Sequence, residues 1–261
     1  MGSKKKISRI KHVDNKMVRK SNLKMPRLSE DLLKRIQLVR RDIGNLLFHF
    51  TRAPEKDFIV KTFDGEKKYS KSALSVLNKI LAEGELKGTS AWIKDSSKCV
   101  CFTEAPISEL SALFALVNIA ASKDQRPRYE PYGIAVSKEW LFEKGGRPVI
   151  YDRKDLYYAL PKEMKCRYVD YNPNKNIDYT WEREWRIKTE ELKLDPKNTL
   201  VIVPDSSTAF EVAHMHRAFG RITDDDPFAI DGLSDEFIHE ELYFEPKWLV
   251  TSLDLFGINL K

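Results

Sequence analysis

A chain of 261 residues with 42% apolar side chains is long enough to bury a core as one large domain or two small ones. No apolar run is long enough for a membrane span, nothing at the N-terminus reads as a secretory signal, and three cysteines form no even disulfide framework. The expectation is a soluble cytoplasmic protein in a reducing compartment, with no membrane partner. The formal net charge of +6 is unevenly spread, because the stretch from Met1 to Arg27 carries ten basic residues against the single acid Asp14, and the rest is slightly acidic. Residues 1–28 therefore read as a basic flexible arm able to reach a polyanion such as nucleic acid, or as a solvated tail whose Met1-Gly2-Ser3 start is an expression remnant. Residues 29–261 read as one domain.

In chain order, Ser29 caps an expected helix on which Leu32, Leu33, Ile36 and Val39 recur at helical spacing, and Gly44-Asn45 stops it. Leu46-Leu47-Phe48-His49-Phe50-Thr51 is a short apolar run between breakers, hence a strand. A polar loop with an Asp64-Gly65 turn follows. Ser70 caps a second helix striped by Leu74, Leu77, Ile80 and Leu81 and stopped by Gly84. Cys99-Val100-Cys101-Phe102-Thr103 is a second strand, and Pro106 sits in the first turn of a third helix. Tyr132-Gly133-Ile134-Ala135-Val136 is a strand, Ser137 caps a short helix from Lys138 to Glu143, Gly145-Gly146 turns the chain, and Arg147-Pro148-Val149-Ile150-Tyr151 returns as a strand. Helix or loop then runs to Met164.

Trp181-Glu182-Arg183-Glu184-Trp185-Arg186-Ile187, read as extended, sends Glu182, Glu184 and Arg186 to one face and Trp181, Trp185 and Ile187 to the other. Two carboxylates and a guanidinium on a rigid support suit chemistry on a sugar or phosphate ligand; equally, they pair with one another on a plain surface strand. Leu200-Val201-Ile202-Val203 is a strand, a helix starts at Ser207 or Thr208 and runs to about Phe219, Asp224-Asp225-Asp226-Pro227 is an acidic loop, and Trp248-Leu249-Val250 lies in a last strand. The whole is α+β: a single domain with a mixed, mostly antiparallel sheet and flanking helices. Cys99 and Cys101 lack a second ligand pair for zinc, and His214 and His216 point apart on a helix. Cys101 as a nucleophile would need His49 as its partner. No glycine-rich phosphate loop is present.

Four motifs fall in a telling order. They are His49-Phe50-Thr51, a helix ending Ile80-Leu81-Ala82-Glu83-Gly84, the strand Cys101-Phe102-Thr103 leading to Pro106, and Glu182-Arg183-Glu184-Trp185-Arg186. In this order the chain resembles the ADP-ribosyltransferase superfamily, and more narrowly bacterial abortive-infection proteins of the AbiGi type and DarT-like toxins, over roughly residues 46–187. The resemblance implies a sheet of ADP-ribosyltransferase type and NAD+ as co-substrate. It implies that Glu184 faces the positive charge that develops on the ribose and bonds its hydroxyl, and that Glu182 takes the proton from the acceptor. His49 would bond a ribose hydroxyl, with Arg52 competing for that role. Thr51 and Thr103 would position the cofactor, Thr103 alternatively capping the next helix. Phe50 or Phe102 would line the nicotinamide slot, and Arg186, Arg52 or Arg147 would meet the pyrophosphate. The implied activity is transfer of ADP-ribose to a macromolecule in phage defence or a toxin–antitoxin system. The acceptor leans to nucleic acid, with protein as the alternative, and an antitoxin protein is a further partner. Two other readings stand beside it: a catalytically silent binding module (antitoxin or phage sensor) on the same fold, and a metal-dependent nuclease using His49 with acidic residues.

Overall fold

The computed structural model describes residues 29–32, 35, 44–54, 58–62, 65–69, 72–110, 114, 129–221 and 242–258. The chain divides into two compact units, Met1–Val39 and Arg40–Lys261. In the first, the Ser29 hydroxyl accepts from the Leu32 N–H at 3.2 Å and Arg35 pairs with Asp31 one turn back at 3.0 Å, so the helix opens where the capping residue puts it. The basic arm and the acidic loop at 224–227 lie outside the described residues.

The second unit begins with β1 (Leu46–Phe50), β2 (Phe58–Thr62), β3 (Gly65–Tyr69), α1 (Ala73–Glu83), β4 (Glu85–Lys87) and β5 (Cys99–Thr103). It continues through β6 (Gly133–Ser137), α2 (Lys138–Glu143), β7 (Arg147–Pro148), β8 (Ile150–Asp152), α3 (Lys154–Ala159) and β9 (Tyr168–Asp170). Then come β10 (Glu184–Lys188), β11 (Glu191–Lys193), β12 (Thr199–Val203), α4 (Ser206–Met215), β13 (Arg217–Arg221), β14 (Leu242–Pro246) and β15 (Leu249–Ser252). Seven strands build the central sheet in the order β15-β12-β6-β1-β5-β10-β7. All neighbours are antiparallel except β12 and β15, which run parallel, so the architecture is α+β with a mixed, mostly antiparallel sheet. Among the described residues no helix is long and apolar enough to cross a membrane.

Alternation along the strands sorts the core into two layers. On one face Leu47, Ile134, Val201 and Trp185 pack with Leu77 and Leu81 of α1. On the other, Phe48, Ala135 and Ile202 pack with Leu110, Phe114 and Leu253. Each fully buried leucine or isoleucine contributes roughly 1.5–3 kcal/mol.

The pairing of β1 is unequal. Against β6 it runs in register over five pairs, from Leu46↔Ser137 to Phe50↔Gly133. Against β5 the one register pair is Phe48↔Thr103, while β5 itself pairs with β10 over all five of its residues. The sheet is closely laced on both outer sides of the β1–β5 seam and parts along it after Phe48.

Several elements differ from the sequence expectation. Residues 58–62 and 65–69 form a hairpin in place of the expected polar loop. The cap of α1 is Ser72, whose hydroxyl accepts from the Ser75 N–H at 3.1 Å; Ser70 lies outside the described residues. Gly84 closes that helix at φ 67°, a conformation costly for any residue with a Cβ. Asp205 caps α4, ahead of the expected serine or threonine, and the helix stops at Met215 because 217–221 pairs with 242–246 as a hairpin. The largest correction concerns residues 181–187, which are not one strand. Asp178 accepts from the Thr180 N–H at 2.9 Å and hydroxyl at 2.6 Å, and the Arg183 N–H reaches the Thr180 carbonyl at 3.1 Å. These local bonds hold Thr180–Glu182 as a 3-10 turn, Arg183 takes a left-handed conformation (φ 46°, ψ 48°), and the ladder starts at Glu184.

Candidate functional site

Where β1 and β5 part, a cleft of about 120 Å³ enters the sheet. Its polar lining comes from three segments far apart in sequence: His49 on β1, Cys101 and Thr103 on β5, and Glu182 with Glu184 around the start of β10. Its apolar walls are Phe48, Phe50, Phe102 and Tyr129. Glu182 and Glu184 share the cleft, but not through strand alternation. The left-handed Arg183 separates them, so one carboxylate belongs to the turn and the other to the strand.

His49 sits at the seam. Its Nδ1 is 2.8 Å from the Cys101 carbonyl, and a carbonyl can only accept, so Nδ1 carries hydrogen and the neutral ring keeps an acceptor lone pair on Nε2. The bond fills a gap in the ladder with a side chain, which gives an otherwise unpaired strand carbonyl a donor. Burial lowers the imidazole's affinity for a second proton, with the Cys101 contact working against that shift. The ring meets Phe102 edge-on at 5.7 Å.

Glu184 is clamped. Arg186 donates through Nε to Oε1 at 2.7 Å and through Nη2 to Oε2 at 2.9 Å, the forked geometry that makes guanidinium–carboxylate pairs strong. Nη1 of the same arginine donates to the carbonyls of Cys166 at 2.8 Å and Tyr168 at 3.3 Å. Only 6% exposed and absent from the cleft lining, Arg186 is committed to Glu184 and to backbone. In this position it stands behind the carboxylate as support. The Glu184 N–H in turn donates to the Tyr151 hydroxyl at 3.0 Å. Burial pushes that phenol up to about 12; the backbone contact opposes the rise, and the Glu184 and Glu182 charges add to it. Tyr151 thus remains protonated at neutral pH.

Other expectations sort by position. Thr103 lines the cleft, yet its hydroxyl donates to the Glu182 carbonyl at 2.5 Å and accepts from the Ala105 N–H at 3.1 Å, so it braces the turn and caps the following segment. Thr51 is buried outside the cleft, its hydroxyl 3.0 Å from the carbonyls of both Ala73 and Tyr132. It ties the end of β1 to the start of α1. Arg52 is exposed and outside the lining. Arg147 donates to the Phe142 and Gly146 carbonyls, both at 2.7 Å, with its guanidinium 3.7 Å above the Phe142 ring, a structural engagement at the end of α2. Phe50 and Phe102 stand on the cleft wall; Phe50 lies parallel to Phe48 at 6.0 Å and edge-on to Phe114 at 5.1 Å.

Cys101 is placed against a nucleophile's role. Burial first, then the adjacent Glu184 charge, push its thiol well above the usual range, and His49 bonds its backbone rather than its sulfur. Cys99, pushed up to about 12 by burial and by neighbouring Cys166, packs with Ile93 and Cys166 in a small core. His214 contacts its own helix at the Phe210 carbonyl and His216 contacts Asn78. Among the described residues no group of three His, Cys, Asp or Glu is arranged to hold a metal. Sequence reasoning misses Tyr151 and Tyr129. Tyr151 lies inside an expected strand with nothing in its spacing to mark it, and its role depends on which strand lies opposite. Compared with family models, curated proteins and solved structures, the chain matches none.

Proposed function

We propose that the chain is a transferase of ADP-ribosyltransferase type, on a sheet of that type, which splits NAD+ and passes ADP-ribose to a macromolecule in phage defence or a toxin–antitoxin setting. One observation carries this reading: His49, Glu182 and Glu184, drawn from distant segments, line a single aromatic-walled cleft in an opened sheet. NAD+ supplies a glycosidic bond whose cleavage builds positive charge on the sugar. Glu184, fixed by Arg186 and by its N–H to Tyr151, presents an oriented carboxylate with no reorganisation needed when that charge develops. Glu182, 5% exposed at the cleft, is the base for the acceptor. His49 offers Nε2 as acceptor to a sugar hydroxyl, and Phe50 or Phe102 lines the slot for the planar ring. The basic arm favours nucleic acid over protein as acceptor.

The test is incubation with labelled NAD+ and cell extract. Nicotinamide release and label on nucleic acid or protein are expected, and Glu182→Gln, with the fold retained by circular dichroism, should abolish the label. NAD+ left intact with every extract fraction would overturn the reading. A second reading, a binding module without turnover, has one observation in its favour: both oxygens of Glu184 already accept from Arg186. In that case the protein retains NAD+ or a partner protein and releases no nicotinamide.

A further inference from the structure

The two edges of the central sheet are built differently. At one edge β7 is two residues long, and its Pro148 has no N–H to offer a further strand. At the other, β15 runs Leu249-Val250-Thr251-Ser252, with no proline and no charged side chain to guard it. Among the described residues its strand partner is β12 alone, so one side of its backbone has no ladder. Large apolar side chains gather beside this edge. Leu249 on the strand is 69% exposed, and Leu255 and Phe256 in the turn that follows are exposed as well. The start of α4 is tied to that turn, because the Ser206 N–H and hydroxyl both donate to Asp254 Oδ2 at 3.0 Å. One turn along the helix from Ser206, Phe210 is exposed too. An unguarded strand edge bordered by exposed apolar groups is a template for a strand from another chain.

Charge decides which chain. Residues 205–216 and 247–258 together carry Asp205, Glu211 and Asp254 against the single base Lys247. The Ser252 hydroxyl and the Ser206 N–H hold the Asp254 carboxyl below the usual carboxylate range, so it is ionised at neutral pH. A second copy paired edge to edge would bring the same acids together, whereas a cationic segment is drawn to them. We infer that β15 is a docking edge for an extended segment of a partner protein that alternates apolar side chains with lysine or arginine. The segment adds to the central sheet as a further strand, its backbone on the open side of β15 and its apolar side chains covering the exposed groups around it. β12, β6 and β1 stand between this edge and the cleft, so docking here and chemistry there are separate properties.

Fluorescence anisotropy on the full chain tests this with three labelled peptides at fixed ionic strength. They are an alternating lysine–valine octamer, its glutamate–valine counterpart, and the lysine–valine octamer N-methylated throughout. The lysine–valine octamer should bind tighter than the glutamate–valine one by about tenfold or more. N-methylation should remove the binding, because main-chain hydrogen bonds carry strand addition. Leu249→Lys places a charge on the open edge at an exposed position and should weaken the lysine–valine octamer by about tenfold or more; if that variant fails to fold, the three peptides on the wild type decide alone. No binding of the lysine–valine octamer up to about 1 mM, a limit of about 4 kcal/mol, overturns the inference. So does equal binding of the two charged peptides, binding that survives N-methylation, or binding unchanged in a folded Leu249→Lys chain. A dimer seen by sedimentation velocity and lost in Leu249→Lys would also overturn it, by giving the edge to a second copy.

Discussion

Glu184 and Arg186 set the terms for any experiment on this cleft. Their side chains are 12% and 6% exposed, so each charge depends on the other, and removing one strands its partner in a site poor in water. Breaking a buried pair of this kind costs about 3–5 kcal/mol. Arg186→Met should therefore lower unfolding stability by that amount in urea titration, and also deprive the Cys166 and Tyr168 carbonyls of their donor. Glu184→Gln should cost less, because the amide keeps one acceptor oxygen. Combining the two should recover part of the loss, since neither charge is then left alone, and additive losses would mean that the pair is not coupled. Loss of activity in Glu184→Gln alone is thus ambiguous, which is why Glu182 is the cleaner probe. His49 gives a pH test of the same environment. Its folded pKa lies below the ordinary 6.5, so between those two values the unfolded chain binds more protons than the folded one. The contribution is complete above about 6.5 and disappears as pH falls through the lowered folded value. Stability should rise with pH across that window in the wild type, and His49→Gln should flatten this part of the curve. An imidazole titrating above 6.5 by NMR would contradict the burial that the seam imposes.

The seam between β1 and β5 is an element-scale property, and Gly133 is its lever. A Cβ there would lie 2.3 Å from the His49 carbonyl oxygen and 3.0 Å from the Phe50 Cα, backbone atoms that cannot swing aside. Gly133→Ala should force β1 away from β6, costing roughly 1–3 kcal/mol or more and shifting His49 and Phe50 in the cleft wall. Gly84→Ala is the control. At φ 67° with nothing within 4 Å of the added carbon, it strains a helix end by about 1 kcal/mol and leaves the cleft alone. Thermal melts with assays of nicotinamide release from NAD+ distinguish the two, and a Gly133→Ala chain with unchanged release would separate the seam from the site. The sequence is legible where one physical signal dominates. The apolar runs of β1, β5, β6 and β12 between breakers announce themselves, as do the caps Ser29 and Ser137. The β2–β3 hairpin is hidden because Gly65-Glu66-Lys67-Lys68-Tyr69 shows no apolar alternation. Alternation puts Glu182 and Glu184 together on one pleat, yet it is a left-handed residue that joins them. The Glu184–Arg186 pairing is legible from strand spacing; its burial is not, because that depends on the 166–168 backbone packing behind it. Thr51 and Arg52 are candidates only through adjacency to His49, and adjacency on a strand end says little about which cavity a side chain meets.

At the scale of the whole molecule, charge is divided between two regions of opposite character. The described lining of the cleft carries two acids and comes from residues after Leu46, whereas the surplus that gives the chain its +6 lies before Ser29. Carboxylates in the cleft repel phosphate at short range, and the stretch before Ser29 is the segment with the charge to attract a polyanion. Replacing Lys4, Lys5, Lys6, Lys11, Lys16, Lys20 and Lys24 by glutamine tests this division. Oligonucleotide affinity should fall in the substituted chain. For duplex DNA the slope of log affinity against log salt should become shallower by about 0.9 for each phosphate that the arm no longer neutralises. The melting temperature and the rate of nicotinamide release from NAD+ should stay at wild-type values, because the described lining of the cleft includes none of the seven lysines. An unchanged salt slope would remove the arm as the polyanion-binding segment, and with it the reason to prefer nucleic acid over protein as acceptor.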